Sequence, residues 1–236
     1  PINPLYIPAG FTAKDLSPYF HKIRIGTVYS GSEYSDGQVS LYASFYSSDQ
    51  SGVPGTVSIN VSGWFLRARE GSQIVPQAVN VYDPSGLTAE ADIYLKEGDA
   101  LNIYTGTSAI SKNLHLNKCL GFLENTNHFT PSLPKSCPYV ERQEISGFSG
   151  ECQDYILSLG SCGLPEPNPP LPENDYGCRA YLNAINYKGC FERYRADADF
   201  LSREWWAWTG SKFLDERHDK LMLLDRKGLL VDLYEY

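Results

Sequence analysis

Residues 220–236 read KLMLLDRKGLLVDLYEY, and this stretch decides the fold class. Two apolar, strand-like runs, residues 221–224 and 229–236, flank a turn-like segment at residues 225–228. Gly228 supplies a residue that can adopt the positive φ that such turns often need. The stretch therefore predicts a β-hairpin at the end of the chain.

Alternation of apolar and polar residues predicts further strands in the first half of the chain. In residues 38–45, which read QVSLYASF, the odd-numbered positions are apolar and alternate with Gln38, Ser40, Tyr42 and Ser44. A period of two is typical of a half-buried strand. The same alternation is found in residues 21–25 and, with one interruption, in residues 57–66. Two further strand segments, residues 93–95 and 100–104, are separated by a turn-like segment at residues 96–99. The two ends of the chain therefore predict one mainly β domain.

All six cysteines lie between these strand-like ends. None belongs to a CxxC pair, which argues against a zinc ribbon or a redox motif. An even number without that spacing favours disulfides and an oxidising compartment. The cysteines are Cys119, Cys137, Cys152, Cys162, Cys178 and Cys190.

Two short amphipathic helices are predicted within the cysteine-rich stretch. Each has apolar residues at positions i, i+3, i+4 and i+7, which is the helical period. A proline-rich segment, residues 164–172, separates them, Asn174 or Asp175 can cap the second, and Gly189 can end it. The stripes are Cys152, Tyr155, Ile156 and Leu159, then Cys178, Tyr181, Leu182 and Ile185.

Helix geometry narrows the pairing of the cysteines without deciding it. Residues i and i+10 of a straight helix are about 15 Å apart, whereas a bridge needs Cα atoms within about 7 Å. Local bridges, Cys152–Cys162 and Cys178–Cys190, therefore require a helix that stops early. Antiparallel helices favour nested bridges instead. The preferred pairs are Cys152–Cys190, Cys162–Cys178 and Cys119–Cys137.

Charge and hydropathy exclude several classes of protein. The net charge is −8 and the pI is about 5.0, which argues against binding to nucleic acid or to anionic lipid. No apolar run reaches the roughly 18 residues of a membrane span. We therefore expect a protein or carbohydrate partner and no membrane span.

No motif points to catalysis. The chain has no GxSxG, HExxH, phosphate-binding or dinucleotide fingerprint. Its four histidines are not at metal spacing, and the acidic clusters at residues 197–199 and 215–219 lack the ligand pattern of a Ca²⁺ loop. We predict a non-enzymatic protein with no catalytic residue, metal or cofactor, and we expect His115 and His128 in solvated loops. Asn60 begins a glycosylation sequon.

Trp205, Trp206 and Trp208 form the best candidate binding patch. Alternation directs Trp206 and Trp208 to one face of a strand and Trp205 to the other. The simpler interpretation is that these rings belong to the core. The sharper interpretation is an exposed aromatic platform for a sugar or a partner protein.

Residues 1–20 predict an extended arm because prolines recur along them. The apolar arm residues Ile2, Leu5, Tyr6 and Ile7 need burial, either on their own domain or on another copy. Strand addition to the sheet edge of a neighbour would bury them.

Three segments in order resemble the lamin-tail domain of bacterial surface and secreted proteins. They are residues 61–67 (VSGWFLR), 95–106 (LKEGDALNIYTG) and 220–236. The resemblance implies an immunoglobulin-like β-sandwich formed by residues 21–106 and 204–236, with binding or structural roles. The chain differs from that family because about 100 residues, 107–203, lie between the two parts of this sandwich.

The expected fold is mainly β: an immunoglobulin-like β-sandwich with an inserted, disulfide-stapled helical hairpin. The expected function is that of an extracellular or cell-surface structural or interaction module, in its strong form a self-assembling subunit joined through the arm. The alternative is a carbohydrate- or surface-binding module that uses exposed aromatic residues.

Overall fold

The computed structural model describes residues 7–32, 35–45, 57–69, 71–172, 174–214 and 220–236. Within these ranges the chain is mainly β, as expected, with eleven strands and three α-helices. The strands are β1 (Ile23–Tyr29), β2 (Gln38–Ala43), β3 (Ser58–Asn60), β4 (Phe65–Arg67), β5 (Ser72–Ile74), β6 (Tyr94–Lys96), β7 (Ala100–Tyr104), β8 (Leu114–Asn117), β9 (Leu201–Trp208), β10 (Lys220–Leu224) and β11 (Leu230–Glu235). The helices are α1 (Gly150–Ser158), α2 (Tyr176–Asn183) and α3 (Tyr187–Tyr194), with 3₁₀ helices at Ala13–Asp15 and Leu120–Asn125.

The chain divides into two compact units. The first, which we call the β-unit, comprises Pro1–Asn80, Ala89–His115 and Arg203–Tyr236. The second, the cysteine unit, comprises Val81–Thr88 and Leu116–Ser202. All six cysteines lie in the second unit.

The strands form three sheets. The largest has five strands in the order β1-β2-β7-β9-β8, in which β7 and β9 run parallel and the pairs β1–β2 and β2–β7 are antiparallel. A four-stranded sheet has the order β11-β10-β4-β5 and is antiparallel throughout. Strands β3 and β6 form a two-stranded antiparallel sheet.

The core of the β-unit lies on the inner faces of these sheets. Leu41, Leu101 and Trp205 form one row across the five-stranded sheet. They share a buried cluster with Leu66 and Leu221 of the four-stranded sheet. Each fully buried leucine contributes about 1.5–3 kcal/mol relative to an exposed one. The predicted alternation in residues 38–45 is confirmed, because its odd-numbered positions are all buried.

The closing hairpin is confirmed as well. The Asp225 amide donates to the Leu229 carbonyl, the Gly228 amide donates to the Asp225 carbonyl, both at 2.9 Å, and Gly228 has a φ of 77°. The Asp225 carboxylate also accepts from the amides of Lys227 and Leu229. The side chain therefore secures the turn that joins β10 to β11.

Both predicted helices are present, and each is capped by a side chain. Ser149 accepts from the Cys152 amide at the start of α1, and Asp175 accepts from the Cys178 amide at the start of α2. Asp175 is therefore the cap of the second helix.

A third helix was missed, and the prediction that Gly189 ends the second helix is wrong. The side chain of Asn186 accepts from the Gly189 amide and caps α3. This helix begins at Tyr187, so Gly189 lies inside it. Gly189 is needed for close approach, because a β-carbon at this position would lie 1.9 Å from the Ala184 carbonyl oxygen.

All six cysteines form disulfides, but every predicted pair is wrong. The expected pairs Cys119–Cys137, Cys152–Cys190 and Cys162–Cys178 do not form, and neither do the two local bridges. The observed bridges are Cys119–Cys190, Cys137–Cys162 and Cys152–Cys178, with Cα separations of 5.8, 5.1 and 6.1 Å.

The path between the helices explains the error. Cys152 and Cys178 both lie in the first turn of their helices, and their bridge joins start to start. A nine-residue helix such as α1 is only about 13.5 Å long. The proline-rich segment, residues 164–172, cannot be helical and is long enough to carry the chain back over that distance.

Candidate functional site

The three tryptophans lie on β9 and are buried, with exposed fractions of 4%, 7% and 7%. Trp205 points into the core and stacks on His115, with ring centroids 3.8 Å apart. Trp206 and Trp208 lie on the opposite face and pack against Tyr104. The exposed aromatic platform predicted for these residues is therefore wrong, because neighbouring rings cover them.

Exposed tyrosines do occur on the same outer face of the five-stranded sheet. Tyr29 pairs with Gln38, which pairs with Tyr104, and Ser40 pairs with Asn102 in the next row. Tyr42 follows two residues later on β2, so its side chain shares this face. We call the outward side chains of Tyr29, Gln38, Ser40, Tyr42 and Asn102 the tyrosine face.

Polar bonds organise the middle of the tyrosine face. The Ser40 hydroxyl donates to Asn102 Oδ1 at 2.6 Å, and Gln38 Nε2 donates to the same oxygen at 3.3 Å. Tyr29 and Tyr42, on either side, have exposed fractions of 48% and 43%. The face thus combines two accessible rings with two half-buried amides and the hydroxyl of the buried Ser40. The sequence signal for it was the polar side of the alternation in residues 38–45.

The described part of the arm packs on its own β-unit. The Ser17 amide donates to the Leu230 carbonyl at 2.8 Å, and the His21 amide donates to the Val231 carbonyl at 2.9 Å. These bonds place residues 16–21 along the edge strand β11. Ile7, one of the predicted assembly residues, packs against the same sheet, whereas Ile2, Leu5 and Tyr6 lie outside the described residues.

The arm covers an apolar outer face of the four-stranded sheet. Phe65 and Met222 alternate along their strands with the core residues Leu66 and Leu221, so they point outward. The cluster on this face consists of Ile7, Phe11, Leu16, Phe20, Phe65, Met222, Leu224, Leu230 and Leu233.

A groove of about 660 Å³ continues from this covered face. Met222 belongs to both the cluster and the groove, which makes them contiguous. Lys220 and Glu235 form an ion pair at 2.7 Å beside it. We call this feature the N-terminal groove, and it is lined by Arg67, Ala68, Arg69, Lys220, Met222, Glu235 and Tyr236.

Two conspicuous polar groups have structural roles. Asp232 Oδ2 accepts from the Ile25 amide at 2.7 Å, and its other oxygen lies 3.7 Å from His21 Nε2. Burial raises the pKa of the Asp232 carboxyl, although the bond from Ile25 opposes the shift. Burial also lowers the pKa of His21. The contacts of Asp232 with Ile25 and with His21 tie β11 to β1 and to the residues just before it.

The sequon is also part of the fold. Asn60 Nδ2 donates to Asp92 at 2.6 Å, and Gln77 and Arg226 donate to the same carboxylate at 2.8 Å each. These bonds hold the pKa of Asp92 well below its usual range. The Ser62 hydroxyl of the sequon donates to the Pro76 carbonyl. The acceptor amide and the sequon hydroxyl are therefore both engaged.

The remaining candidates for chemistry are also accounted for. His115 is buried and its Nδ1 lies 2.9 Å from Asn80 Oδ1, so its predicted place in a solvated loop is wrong. Asp197 and Asp199 both pair with Lys118. The acidic cluster at residues 215–219, which includes His218, lies outside the described residues.

Within the described ranges, one group of potential metal ligands occurs, formed by Cys152, Asp175 and Cys178, whose ligand atoms lie within 4.8 Å of one another. The two sulfur atoms are joined in a disulfide. Cysteine binds a metal as a thiolate, so these two bridged sulfurs are not metal ligands in the oxidised protein.

No family model, curated protein or solved structure matches this chain. Among the described residues, no helix has both the length and the apolar character needed to cross a bilayer.

Proposed function

We propose that this chain is a non-enzymatic structural or interaction module of the extracellular space or cell surface, and that copies associate through their first six residues. The proposal includes the lamin-tail resemblance and the immunoglobulin-like arrangement of the β-unit. Three buried disulfides support an oxidising location, because such bridges persist there and are rare in reducing compartments.

The N-terminal groove is the observation that carries the proposal. The arm already lies along the outer face of the four-stranded sheet, and the groove extends that face past Met222. Residues 1–6 precede this arm and span at most about 20 Å when extended. Their apolar side chains, Ile2, Leu5 and Tyr6, match an acceptor lined by Met222 and by the aliphatic stems of Arg67 and Arg69.

Residues 1–6 can enter the groove of their own chain or the groove of a second copy. In the second arrangement the same contact joins two copies. The same groove residues serve both arrangements, as in domain swapping. Residues 7–21 keep the donor anchored to its own sheet, so only the first six residues need to be exchanged.

A complementation experiment tests the exchange. A chain lacking residues 1–6 keeps the groove but has no donor segment, and Met222→Glu keeps the donor but places a charge in the groove. We expect each variant to be monomeric by light scattering after size exclusion, and a mixture of the two to form a heterodimer. Ile74→Glu is the matched control, since Ile74 is an exposed residue of the same sheet.

The full chain should be oligomeric and the Ile74→Glu variant should stay so. A monomeric full chain would overturn the proposal. Equal oligomerisation of the full chain and of the chain lacking residues 1–6 would also overturn it. Circular dichroism checks that Met222→Glu is folded, and Arg67→Glu serves as a second groove variant if it is not.

A further inference from the structure

We propose that the tyrosine face binds a neutral oligosaccharide chain. The site lies on the five-stranded sheet and shares no residue with the N-terminal groove, so it goes beyond the self-association proposed above. The tryptophans predicted to bind sugar are buried, and among the described residues Tyr29 and Tyr42 are exposed rings on their face of the sheet.

The two rings are placed to contact different units of one chain. Tyr29 pairs with Gln38, and Tyr42 lies four residues from Gln38 along β2. At 3.3–3.4 Å per residue, the Cα of Tyr42 lies about 13 Å along β2 from that of Gln38, the residue paired with Tyr29. Tyrosine presents an apolar ring surface together with a polar hydroxyl, which suits the apolar faces and hydroxyl rims of sugars.

Gly26 has no side chain, and this leaves the space that the Tyr42 ring occupies. A β-carbon at this position would lie 1.9 Å from Cε2 of Tyr42, so the ring occupies space that any other residue would fill. The ring therefore settles against β1 while 43% of the residue stays exposed. Such a held ring loses little conformational freedom when a ligand stacks on it.

Beside the rings, on the neighbouring strands β2 and β7, lies a set of oriented hydrogen-bonding groups. Asn102 Oδ1 accepts from Ser40 and from Gln38, which fixes both amides. Asn102 Nδ2 and Gln38 Oε1 have no partner among the described residues. They offer one donor and one acceptor, which is the combination that a sugar hydroxyl can satisfy at once.

The charges beside the face favour a neutral ligand. Arg24 pairs with Tyr42 at one end of the face, and Glu204 lies two strands further along the same row. Their opposite signs leave no strong field for an anionic ligand. Tyrosine, serine and asparagine also make protein-binding surfaces, and the experiment below therefore includes an outcome that assigns the face to a second copy.

Calorimetric titration of the full chain with cellohexaose, xylohexaose, chitohexaose and maltohexaose tests the proposal. We expect at least one of these sugars to bind. Tyr42→Ala and Tyr29→Ala should each weaken that binding about tenfold. Tyr42→Phe should keep most of it, and Asn102→Ala should weaken it severalfold. Tyr94→Ala is the matched control, because Tyr94 is an exposed tyrosine of β6 in the two-stranded sheet and should leave the affinity unchanged.

Several outcomes would overturn the inference. One is that none of the four sugars binds; another is that Tyr94→Ala weakens binding as much as Tyr42→Ala. A third is that Tyr42→Ala dissociates oligomers, which would assign the face to a second copy. If Tyr42→Ala does not fold, Tyr29→Ala and Asn102→Ala decide the question. The chain lacking residues 1–6 should bind sugar normally, which separates this test from that of self-association.

Discussion

The β-unit buries long side chains in one large apolar cluster, whereas the cysteine unit ties short helices together through sulfur. In the β-unit, Leu41, Leu101 and Leu221 are fully buried in one large cluster. In the cysteine unit, the Cys152–Cys178 bridge lies within a small cluster that includes Ile145, Ile156 and Leu182.

The difference follows from how much apolar surface each unit can bury. Helices of eight or nine residues with one apolar stripe bury too little area to offset the loss of chain entropy. A bridge that closes a loop of 26 residues adds about 3.5 kcal/mol by restricting the unfolded chain. The sheets need no such help, because their apolar side chains share one large buried cluster.

Reduction should separate the two units, and this is the largest effect we expect. With all three bridges reduced under otherwise native conditions, amides of α1 and α2 should lose their protection against hydrogen exchange. Amides of β10 and β11 should keep theirs, because hydrophobic burial holds that hairpin. Mass spectrometry of peptides after exchange, with an oxidised sample as reference, gives the comparison. Equal loss of protection in β10 would show that the β-unit also depends on the bridges.

A cavity in the core should destabilise the β-unit, which is the unit that reduction is expected to leave folded. Leu221 is fully buried, and Leu221→Ala should cost about 2–5 kcal/mol through lost burial and the cavity left behind. Urea unfolding followed by tryptophan fluorescence measures this loss, because Trp64 and Trp205 lie in the same cluster. Ile74→Ala, at an exposed position of the same sheet, should cost much less. Similar losses in both variants would contradict the assignment of the core.

Asp232 should produce a smaller, pH-dependent effect confined to the β-unit. Burial raises the pKa of its carboxyl, so over the window between the unfolded and folded pKa values the folded state binds more protons. Stability contributed by this group should therefore fall as pH rises through that window. Asp232→Asn should flatten this dependence, and Asp232→Ala should cost about 1–3 kcal/mol by leaving the Ile25 amide unpaired.

The pH dependence is measured by urea unfolding at a series of pH values for the wild type and both variants. Asp92→Asn is the control, because Asp92 has the opposite shift and its stabilisation is lost as pH falls through its lowered pKa. A wild-type profile unchanged by Asp232→Asn would refute the role given to Asp232.

Local features were predicted well and long-range features poorly. The alternation in residues 38–45, the hairpin after Leu224 and the cap at Asp175 depend on neighbouring residues, and all are confirmed. The third helix was missed because Gly189 usually signals a helix end. Here the Asn186 cap and the close approach to Ala184 outweigh that preference.

The candidate sites show the same division. Alternation placed Trp206 and Trp208 together on one face of β9 and Tyr42 on the polar face of β2, and the register shows that all three share one face of the sheet. It did not say which rings neighbouring strands would cover. Tyr104 packs on both tryptophans, while Tyr42 lies over Gly26 and stays accessible.

The sequence by itself determined β2, the β10–β11 hairpin, helices α1 and α2 and the use of all six cysteines in bridges, because hydrophobic period and residue chemistry act over a few neighbours. Only the tertiary structure decided which sulfurs meet, which tryptophans are covered and where the arm lies. Those outcomes depend on the path of the chain between distant segments. The return of residues 164–172 to the start of α1, which brings Cys178 to Cys152, is the clearest case.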